Sequence, residues 1–587
     1  MIRIIMLFTL PVVFLSCTGN RDYKGGKAPG TGDSAFQKLS DEFIDGELAQ
    51  IPENGVYLGL HQYDGKLTDY RKASLDSELF RLKSFDQVLS GIDSSMLSEK
   101  MYYDYRILRA GVRNSIFNFE DMGIYSKNPT TYAGAIDLSV YVKRNFAPLE
   151  ERLRSIIKIE NLTPSLYQAA RQNLADSLAK PFIETAILVA EGTVTFLRKD
   201  LILALRELNN DSLMAEFRAS NKLAIQQVKA FAEYLRKEKL PKAIHRFALG
   251  EEKYRKMLLC QEGITISPRE ILAFGLKQLE TEQANFNAAA KIINPNLKPE
   301  DVYKKAELEH PTADSLIPYA GRTLESIRQF ILDKKIVSIP SEIRAIVKET
   351  LPFERSTSTA SLDYPGPFEK KATEAYYYIT PVDPGWTAKQ KEDWLAQFNY
   401  YSTDITSIHE VYPGHFVQAL HLNTSHATRI EKIYENYAFS EGWAHYCEKM
   451  MVDEGYGNNG DPLKAVKFRL AQSGDALLRL CRLCVSIKMH CENMSVDEAT
   501  HFLMDHWHQG EKPCRQEAIR GTFDPGYLYY AIGKMEILKL LQDYQKQEGE
   551  QFSLEKFHNT LLDNGVPPVR LLREIMLHDK KEWDKIL

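Results

Sequence analysis

The sequence predicts a mainly α-helical protein with a short β-ribbon. Apolar residues recur at three- and four-residue spacings over most of residues 35–335, which is the pattern of amphipathic helices. Prolines interrupt that pattern over residues 338–385, where the run TEAYYYITPV is typical of a β-strand. The helical pattern returns at about residue 387 and continues to the end of the sequence. With 587 residues, 44% of them hydrophobic, the chain can bury a large core.

The first 34 residues have the features of a secretion signal followed by a tether. Residues 1–17, MIRIIMLFTLPVVFLSC, combine one arginine with an apolar run that is short for a transmembrane helix. The end of this run resembles a bacterial lipobox, so we expect a lipoprotein signal peptide with Cys17 as the lipid anchor. The alternative is an ordinary secreted protein that is cut near the same place. Residues 18–34 are rich in glycine, serine and charge, which predicts a flexible tether.

Long amphipathic helices are predicted for the first half of the chain. Four stretches show the helical spacing most clearly, namely residues 99–117, 166–192, 216–237 and 268–293. The last of them opens with Pro268, and proline is favoured in the first turn of a helix. We expect these helices to form an N-terminal helical lobe over residues 35–340.

The β-rich run precedes the second helical region. Residues 373–382 form a strand candidate between turn signals. An extended peptide substrate can pair with an exposed strand edge, and Tyr377 is the candidate substrate contact on this strand. The alternative is a hairpin or edge strand whose three tyrosines pack. We expect residues 341–587 to form a C-terminal lobe that carries the chemistry.

Composition and short motifs exclude several function classes. The net charge is −5 and no basic block occurs, so nucleic acid is not expected as a partner. No phosphate-binding glycine loop and no G-x-S-x-G motif is present. Cys481 and Cys484 form a C-x-x-C without a second such pair, which favours buried helix residues over a structural zinc site.

HEVYPGHF, residues 409–416, predicts a metal site on a distorted helix. Its two histidines, His409 and His415, are six residues apart, whereas the familiar H-E-x-x-H spacing is four. On a regular helix, positions six apart point about 120° away from each other. Pro413 and Gly414 explain the spacing, because they break the helix and allow the second histidine to turn back towards the first.

A glutamate from a later helix is the candidate third ligand. The segment FSEGWAHYCEKM, residues 439–450, supplies Glu441, with Ser440 as the expected helix N-cap. Two imidazoles and one carboxylate are a common catalytic zinc set. Glu410, next to the first histidine, is then placed to take a proton from a zinc-activated water.

Two further residues of that segment are expected to support the ligands. Glu448 lies seven residues after Glu441 and His445 lies one turn after it, so all three share a helix face. Either one can orient a metal-bound histidine. The alternative for the whole constellation is a helix–turn element with two partly exposed histidines and an ordinary acidic helix.

RGTFDPGYLYYAIGK, residues 520–534, supplies candidate groups for transition-state stabilisation. The hydroxyl of Tyr527 or Tyr530 can donate to the developing oxyanion. Arg520 can bind a substrate carboxylate. The alternative is that the tyrosines pack in a core and that Arg520 forms a structural ion pair. The three histidines in THFLMDHWHQG are expected to be surface residues and not a second metal site.

Together, HEVYPGHF, SEGWAHYCE and RGTFDPGYLYYAIGK resemble the signature blocks of the large bacterial family catalogued as domain of unknown function 885. The resemblance extends from about residue 35 to the C-terminus. It implies a fold similar to thimet oligopeptidase, carboxypeptidase Taq and angiotensin-converting enzyme, with two helical lobes around a deep cleft. It also implies His409, His415 and Glu441 as metal ligands and Glu410 as the catalytic base. Many members carry aspartate where this chain has Ser486.

The predicted function is that of a zinc-dependent metallohydrolase, with Zn²⁺ as the cofactor and small peptides as substrates. We expect the protein to be anchored through Cys17 to a membrane of the bacterial cell envelope, in the periplasm or at the outer membrane. One alternative is a non-catalytic envelope lipoprotein that binds peptides, although binding alone requires no base at Glu410. Another is a zinc amidase that acts on a non-peptide amide. The oligomeric state is not predicted.

Overall fold

The computed structural model describes residues 30–351, 355, 358–458 and 460–587. The predicted signal peptide, its Cys17 and most of the predicted tether lie outside these residues. The described chain is mainly helical, as predicted. Within it, no helix is both long and apolar enough to cross a membrane.

The α-helices before the sheet are α1 Asp33–Gln50, α2 Pro52–Tyr57, α3 Lys72–Ser90, α4 Glu99–Phe117, α5 Ile124–Lys127, α6 Thr130–Ala133, α7 Ser139–Lys143, α8 Leu149–Asn161, α9 Thr163–Asn173, α10 Lys180–Thr195, α11 Leu201–Ala204, α12 Asp211–Tyr234, α13 Glu251–Glu262, α14 Pro268–Ile293, α15 Pro299–Glu307 and α16 Leu316–Lys334. Short π segments extend several of them, including Asn118–Met122 after α4.

Three strands follow, β1 Ala345–Glu349, β2 Ala360–Asp363 and β3 Ala375–Ile379. The helices after them are α17 Ala388–Gln397, α18 Tyr400–Glu410, α19 His415–Thr424, α20 Arg429–Ile433, α21 Tyr437–Asp453, α22 Pro462–Cys491, α23 Val496–Trp507, α24 Glu511–Phe523, α25 Tyr529–Glu548, α26 Leu554–Leu562 and α27 Val569–Met576. A 3₁₀ turn, Pro525–Leu528, joins α24 to α25.

The predicted helix ends agree with the structure where the sequence contains capping residues. α14 spans the predicted residues 268–293, and Ser267 and Glu270 form a capping box at its start. The stretch 166–192, predicted as continuously helical, is instead two helices, α9 and α10. The chain is non-helical between them, and α10 restarts with Pro181 in its first turn.

The strand predicted from the tyrosine-rich run is at the centre of a three-stranded sheet. The strand order is β1-β3-β2, with β1 parallel to β3 and β2 antiparallel to it. Both edges of β3 are therefore paired, and the expected exposed edge along this strand is wrong. The outer strands β1 and β2 form the edges of the sheet.

Three apolar clusters make up the core. The first packs helices between α1 and α12. The second packs α16 and the sheet against α18, α19, α21 and the C-terminal helices α25–α27. The third packs α13 and α14 against α22, α23 and α24. The long helix α22 contributes to the second and third clusters. It therefore packs against the helices that carry the candidate site.

Candidate metal centre

The two histidines of HEVYPGHF lie on consecutive helices. His409 is in the last turn of α18, which ends at Glu410, and His415 is the first residue of α19. Their ring centroids are 4.9 Å apart and the rings are inclined by 84°. The break between the helices therefore brings together two imidazoles that a continuous helix would point apart.

A close backbone contact explains the glycine in this break. The Gly414 N–H donates to the Ile408 carbonyl over 3.0 Å, which folds the chain back on the end of α18. A Cβ atom at Gly414 would lie 1.7 Å from the His409 carbonyl oxygen, so no larger residue fits there without a backbone shift. The neighbouring Tyr412–Pro413 peptide bond is cis.

Glu441, on α21, faces both histidines. Its Oε2 lies 3.4 Å from Nε2 of His409 and 3.5 Å from Nε2 of His415. The ligand atoms of the three residues lie within 4.8 Å of one another, and no other such group occurs in the described part of the chain. The Glu441 Oε2 atom is buried and has no hydrogen-bond partner. A buried carboxylate oxygen that faces two imidazole nitrogens has the arrangement of a cation site.

The start of α21 differs from the prediction. Asn436, not Ser440, is the N-cap, and its side chain accepts the Phe439 N–H over 2.9 Å. The Ser440 hydroxyl instead donates to the Glu435 carboxylate over 2.6 Å. The helix thus begins about one turn earlier than expected, which places Glu441 in its second turn.

Two contacts fix α21 against its neighbours. The indole N–H of Trp443 donates to the Pro413 carbonyl over 3.0 Å, which ties α21 to the break between the histidines. On the other side, α21 crosses α25 so closely that a Cβ atom at Gly533 would lie 1.7 Å from the Ala438 carbonyl oxygen. The Trp443 and Gly533 contacts together set the position from which Glu441 reaches the histidines.

Behind the three residues, Glu448 accepts hydrogen bonds from several directions. Its Oε1 accepts the Nδ1–H of His409 over 2.7 Å, and its Oε2 accepts the Nδ1–H of His445 over 2.9 Å. The Arg479 guanidinium donates to Oε1 over 3.4 Å. Burial and the nearby Lys534 ammonium lower the pKa of His445 to about 3, so His445 is neutral and accepts from Lys534 at Nε2 over 3.3 Å.

The electrostatics of the centre favour a cation. Burial alone would lower the pKa of His409, but Glu441 and Glu448 outweigh it and raise that pKa to about 10. Burial also opposes the protonation of His415, yet Glu441 raises its pKa. Burial would raise the pKa values of Glu441 and Glu448, but the facing histidines and, for Glu448, Arg479 hold both well below their usual range. The carboxylates therefore create a negative potential between the two imidazoles.

Glu410 and three tyrosines lie near this centre. Glu410 is half-buried at the end of α18. Burial, and then the Glu441 carboxylate, raise the pKa of Tyr530, so its hydroxyl keeps its proton. Tyr364 and Tyr437 also lie within electrostatic reach of Glu441. Sequence reasoning missed both. Tyr437 stands one helical turn before Glu441, which is a usable signal, whereas Tyr364 is remote in sequence and carries none.

The family described as "Bacterial protein of unknown function (DUF885)" matches residues 52–576 of this sequence. The chain belongs to this family. The resemblance carried by the three sequence blocks is thereby confirmed at the level of the family. A search of curated proteins returned no match to this DUF885 chain.

This DUF885 protein shares its fold with solved bacterial structures. A candidate lipoprotein of unknown function from Shewanella oneidensis is 24% identical, with a TM-score of 0.77 over 92% of this chain and 100% of that chain. A candidate lipoprotein from Colwellia psychrerythraea is 17% identical, with a TM-score of 0.74 over 94% of this chain and 99% of that chain. At these identities the similarity shows the common fold.

Two predicted site residues of this DUF885 protein lie in the core instead. Tyr527 is 0% exposed. Its hydroxyl packs against Gly521 so closely that a Cβ atom on that residue would lie only 2.3 Å from the hydroxyl oxygen. Tyr377 is 1% exposed, and its hydroxyl accepts from Ser407 on α18 over 3.3 Å. The structure thus places both tyrosines in packing positions, and a substrate cannot reach their side chains without a rearrangement. Of the two candidate oxyanion donors, only Tyr530 is near Glu441.

Arg520 lies at the edge of the centre with its charge already paired. Its guanidinium forms an ion pair with Asp524 at 2.9 Å and donates to the Tyr437 hydroxyl over 3.3 Å. It also lies 5.9 Å from the ring centroid of Tyr530. A substrate carboxylate would have to compete with Asp524 for this side chain.

Two polar residues and two cysteines of α22 have structural positions. Ser486 donates to the Pro525 carbonyl over 2.7 Å, which anchors the 3₁₀ turn before α25 to α22. The His490 Nε2 and the Gly521 carbonyl are 2.8 Å apart, which ties α24 to the same helix. Cys481 and Cys484 are free and buried on α22, as the sequence favoured.

Proposed function

We propose that this DUF885 protein is a zinc-dependent hydrolase that cleaves small peptides. The observation that carries the proposal is the convergence of His409, His415 and Glu441, whose ligand atoms lie within 4.8 Å of one another. The buried Oε2 of Glu441 supports it, because this oxygen faces both Nε2 atoms at 3.4 and 3.5 Å without forming a hydrogen bond, and a cation between them would compensate its charge.

The donor set fits zinc. Two imidazole nitrogens and one carboxylate oxygen leave a fourth position open, as in catalytic zinc sites. The Nδ1–H of His409 donates to Glu448 over 2.7 Å, which leaves Nε2 as the free donor on the side of Glu441. A bound zinc ion would supply a Lewis acid that polarises the scissile carbonyl and acidifies a water molecule.

The protein's own side chains supply the remaining chemistry of the proposal. Glu410 takes a proton from the attacking water and passes it to the leaving amine. The Tyr530 hydroxyl, whose raised pKa keeps it protonated, donates to the negative charge that develops on the carbonyl oxygen. Glu448 holds His409 in the tautomer that exposes Nε2, and His445 and Arg479 hold Glu448 in turn.

We also propose where the enzyme is located and how its two halves are arranged. A lipid on Cys17 would hold the folded part at a membrane of the bacterial envelope, and the two similar structures are both described as candidate lipoproteins. We also propose a two-lobed, peptidase-like architecture, with lobes over residues 35–340 and 341–587 and the zinc site in the cleft between them. The mainly helical fold and the small sheet before α18 are compatible with this arrangement.

The Glu410→Gln variant tests the mechanism. We expect about one zinc ion per chain in both the parent and the variant by elemental analysis, and parental thermal stability in the variant. Hydrolysis of a peptide library falls by about 10²–10⁴-fold, because the substituted amide accepts no proton. The exposed Glu550→Gln serves as the matched control and keeps parental activity.

Cleavage by the Glu410→Gln variant at the parental rate would contradict the mechanism, and absence of zinc from the parent would contradict the metal assignment. A zinc-loaded parent that binds peptides without cleaving them would favour a peptide-binding lipoprotein. A parent that cleaves only non-peptide amides would favour a zinc amidase.

A further inference from the structure

A cavity of 430 Å³ lies between α4, the end of α13 and the segment before α21. One wall is formed by α4 and the turn after it, with Asn114 and Asn118. The end of α13 and the segment before α21 contribute Glu262 and Glu435. Cavities of a few hundred Å³ hold small ligands or one or two residues of a peptide.

The cavity is acidic and has no cationic side chain in its described wall. No lysine, arginine or histidine of the described chain lines it, whereas Glu262, Glu435 and Asp524 do. Asp524 is neutralised by Arg520 at 2.9 Å. Glu435 is exposed, accepts the Ser440 hydroxyl and forms no ion pair within the described chain.

Glu262 gives a second, independent sign of a missing partner. The side chain is 3% exposed, and its Oε2 atom is buried without a hydrogen-bond partner. Its other oxygen accepts the Ala438 N–H over 3.2 Å. Burial raises the pKa of Glu262 to about 7, so a ligand that brings N–H donors and a positive charge would hold this carboxylate ionised.

Two tyrosines relate the cavity to the candidate metal centre. Glu435 lies within electrostatic reach of Tyr364, as do Glu410 and Glu441 of the metal centre. Tyr437 lines the cavity and stands one turn before Glu441 on α21. A peptide that is bound at the candidate metal and runs along the first turn of α21 would place one end in the cavity.

We propose that this cavity binds a cationic amino group of the substrate. The inference rests on the proposed peptidase function and adds the chemical class that the site selects. An ammonium group has three N–H donors and no acceptor, which matches the Glu435 and Glu262 carboxylates and the side-chain oxygens of Asn118 and Asn114. The group is either the α-ammonium of the peptide or the side-chain ammonium of a basic residue.

Equilibrium binding to the zinc-loaded Glu410→Gln protein tests this inference without turnover. Calorimetric titration at pH 7 compares trialanine, N-acetyl-trialanine and N-acetyl-lysyl-alanyl-alanine. We expect trialanine to bind at least about tenfold more tightly than its acetylated form, because acetylation removes the charge. Tighter binding of trialanine alone identifies the α-ammonium, and tighter binding of the acetylated lysine peptide alone identifies the side-chain ammonium. Tighter binding of both shows that the cavity accepts either group.

Substitutions in the same background locate the effect. Glu435→Gln removes the charge and Asn118→Lys adds an opposing one, and we expect each to abolish the difference between the charged and acetylated peptides. Exposed Glu280→Gln, on α14, leaves the difference intact. Asn118→Lys keeps the test decisive if Glu435→Gln does not fold.

Equal binding of all three peptides, or an undiminished difference in both cavity variants, overturns the inference. The failure of the proposed hydrolase function gives a different result, namely charge-selective binding by the Glu410→Gln protein together with no cleavage of any of these peptides by the parent.

Discussion

Glu448 shows how one side chain determines what its neighbours can do. Its carboxylate is buried and accepts from His409, His445 and Arg479. These donors compensate the cost of burying the charge and hold the pKa of Glu448 well below its usual range, with Arg479 and His445 opposing the effect of burial. The ionised carboxylate in turn fixes the His409 ring with Nε2 towards Glu441.

Glu448→Gln should therefore weaken metal binding while it preserves the fold. A glutamine can accept on one side only, so either His409 or His445 faces an N–H group instead of an oxygen. We expect zinc affinity, measured by competition with a chromogenic chelator, to fall about 10–100-fold. Glu454→Gln, just beyond the end of α21, is the control and leaves the affinity unchanged. A parental zinc affinity in Glu448→Gln would disprove this role.

At the residue scale, the sequence predicts a site residue best where the spacing between residues alone determines the local backbone. The separation of His409 and His415 is unfavourable for any regular helix, so it points to the break that the structure contains. Tyr527 and Tyr530 could not be distinguished in this way, because a 3₁₀ turn passes into α25 between them. That change of helical geometry directs Tyr527 into the core and leaves Tyr530 beside Glu441.

At the element scale, the crossing of α21 and α25 determines where Glu441 stands. Gly442 and Gly533 face each other at this crossing, and a Cβ atom on either would meet the backbone of the other helix. The two glycines belong to the segments SEGWAH and YAIGK, for which the sequence predicted metal-binding and catalytic residues. Their shared role is geometric, since only glycine allows two backbones to approach so closely.

Gly533→Ala should destabilise the protein and displace Glu441. The added methyl group overlaps the Ala438 carbonyl, and such overpacking costs about 1–3 kcal/mol or more. We expect a lower midpoint of denaturant unfolding together with weaker zinc binding. Gly321→Ala on α16 is the matched control, because nothing lies within 4 Å of its Cβ position. That substitution should be neutral or stabilising, by up to about 1 kcal/mol. Equal effects of the two substitutions would refute a steric role for Gly533.

A buried carboxyl group between α8 and α12 makes the stability of the fold depend on pH. Glu160 accepts hydrogen bonds from Ser220 and Asn221, but burial outweighs them and raises its pKa to about 7. Because this pKa exceeds the unfolded value of about 4.5, the folded state binds the proton more tightly. The stability that protonation provides is complete below pH 4.5 and is lost as the pH rises towards 7.

Glu160→Gln should remove this pH dependence. The neutral amide keeps an acceptor for Asn221, and Ser220 can turn to accept from it while still donating to the Phe217 carbonyl. We expect the variant to gain about 2 kcal/mol over the parent at pH 8 and little at pH 4. Denaturant unfolding at both pH values measures the difference in the free energy of unfolding between the variant and the parent. A stability difference that does not change between these pH values would contradict the raised pKa.

The limits of sequence reasoning about elements are visible in the sheet. The period-two pattern of residues 373–382 predicted the strand, and β3 lies within that range. Its partners are far away in sequence, and no local pattern reveals that β1 and β2 flank it on both sides. For the same reason no local pattern reveals that the Tyr377 side chain is buried against α18.

At the scale of the whole molecule, the candidate centre is assembled from helices far apart in the chain. The three candidate ligands fall between residues 409 and 441, but Arg479 on α22 and Lys534 on α25 complete the network behind them. The mainly helical class and the family could be predicted from periodicity and from three short blocks. The packing of α14 against α22, which supports this network, leaves no local trace in the sequence because it depends on long-range contacts.

Because the candidate ligands are brought together only in the folded chain, zinc should stabilise the folded state as a whole. A ligand that binds only the folded state adds about 2.7 kcal/mol when its free concentration is 100 times its dissociation constant. We expect the unfolding temperature to fall by several degrees when a chelator removes zinc, and to recover when zinc is returned. In His415→Ala the chelator should have little effect, since one of the three ligands is missing, whereas the exposed His501→Ala should respond like the parent. A chelator effect of parental size in His415→Ala would place the stabilising metal elsewhere in the protein, and the convergence of His409, His415 and Glu441 would then require another explanation.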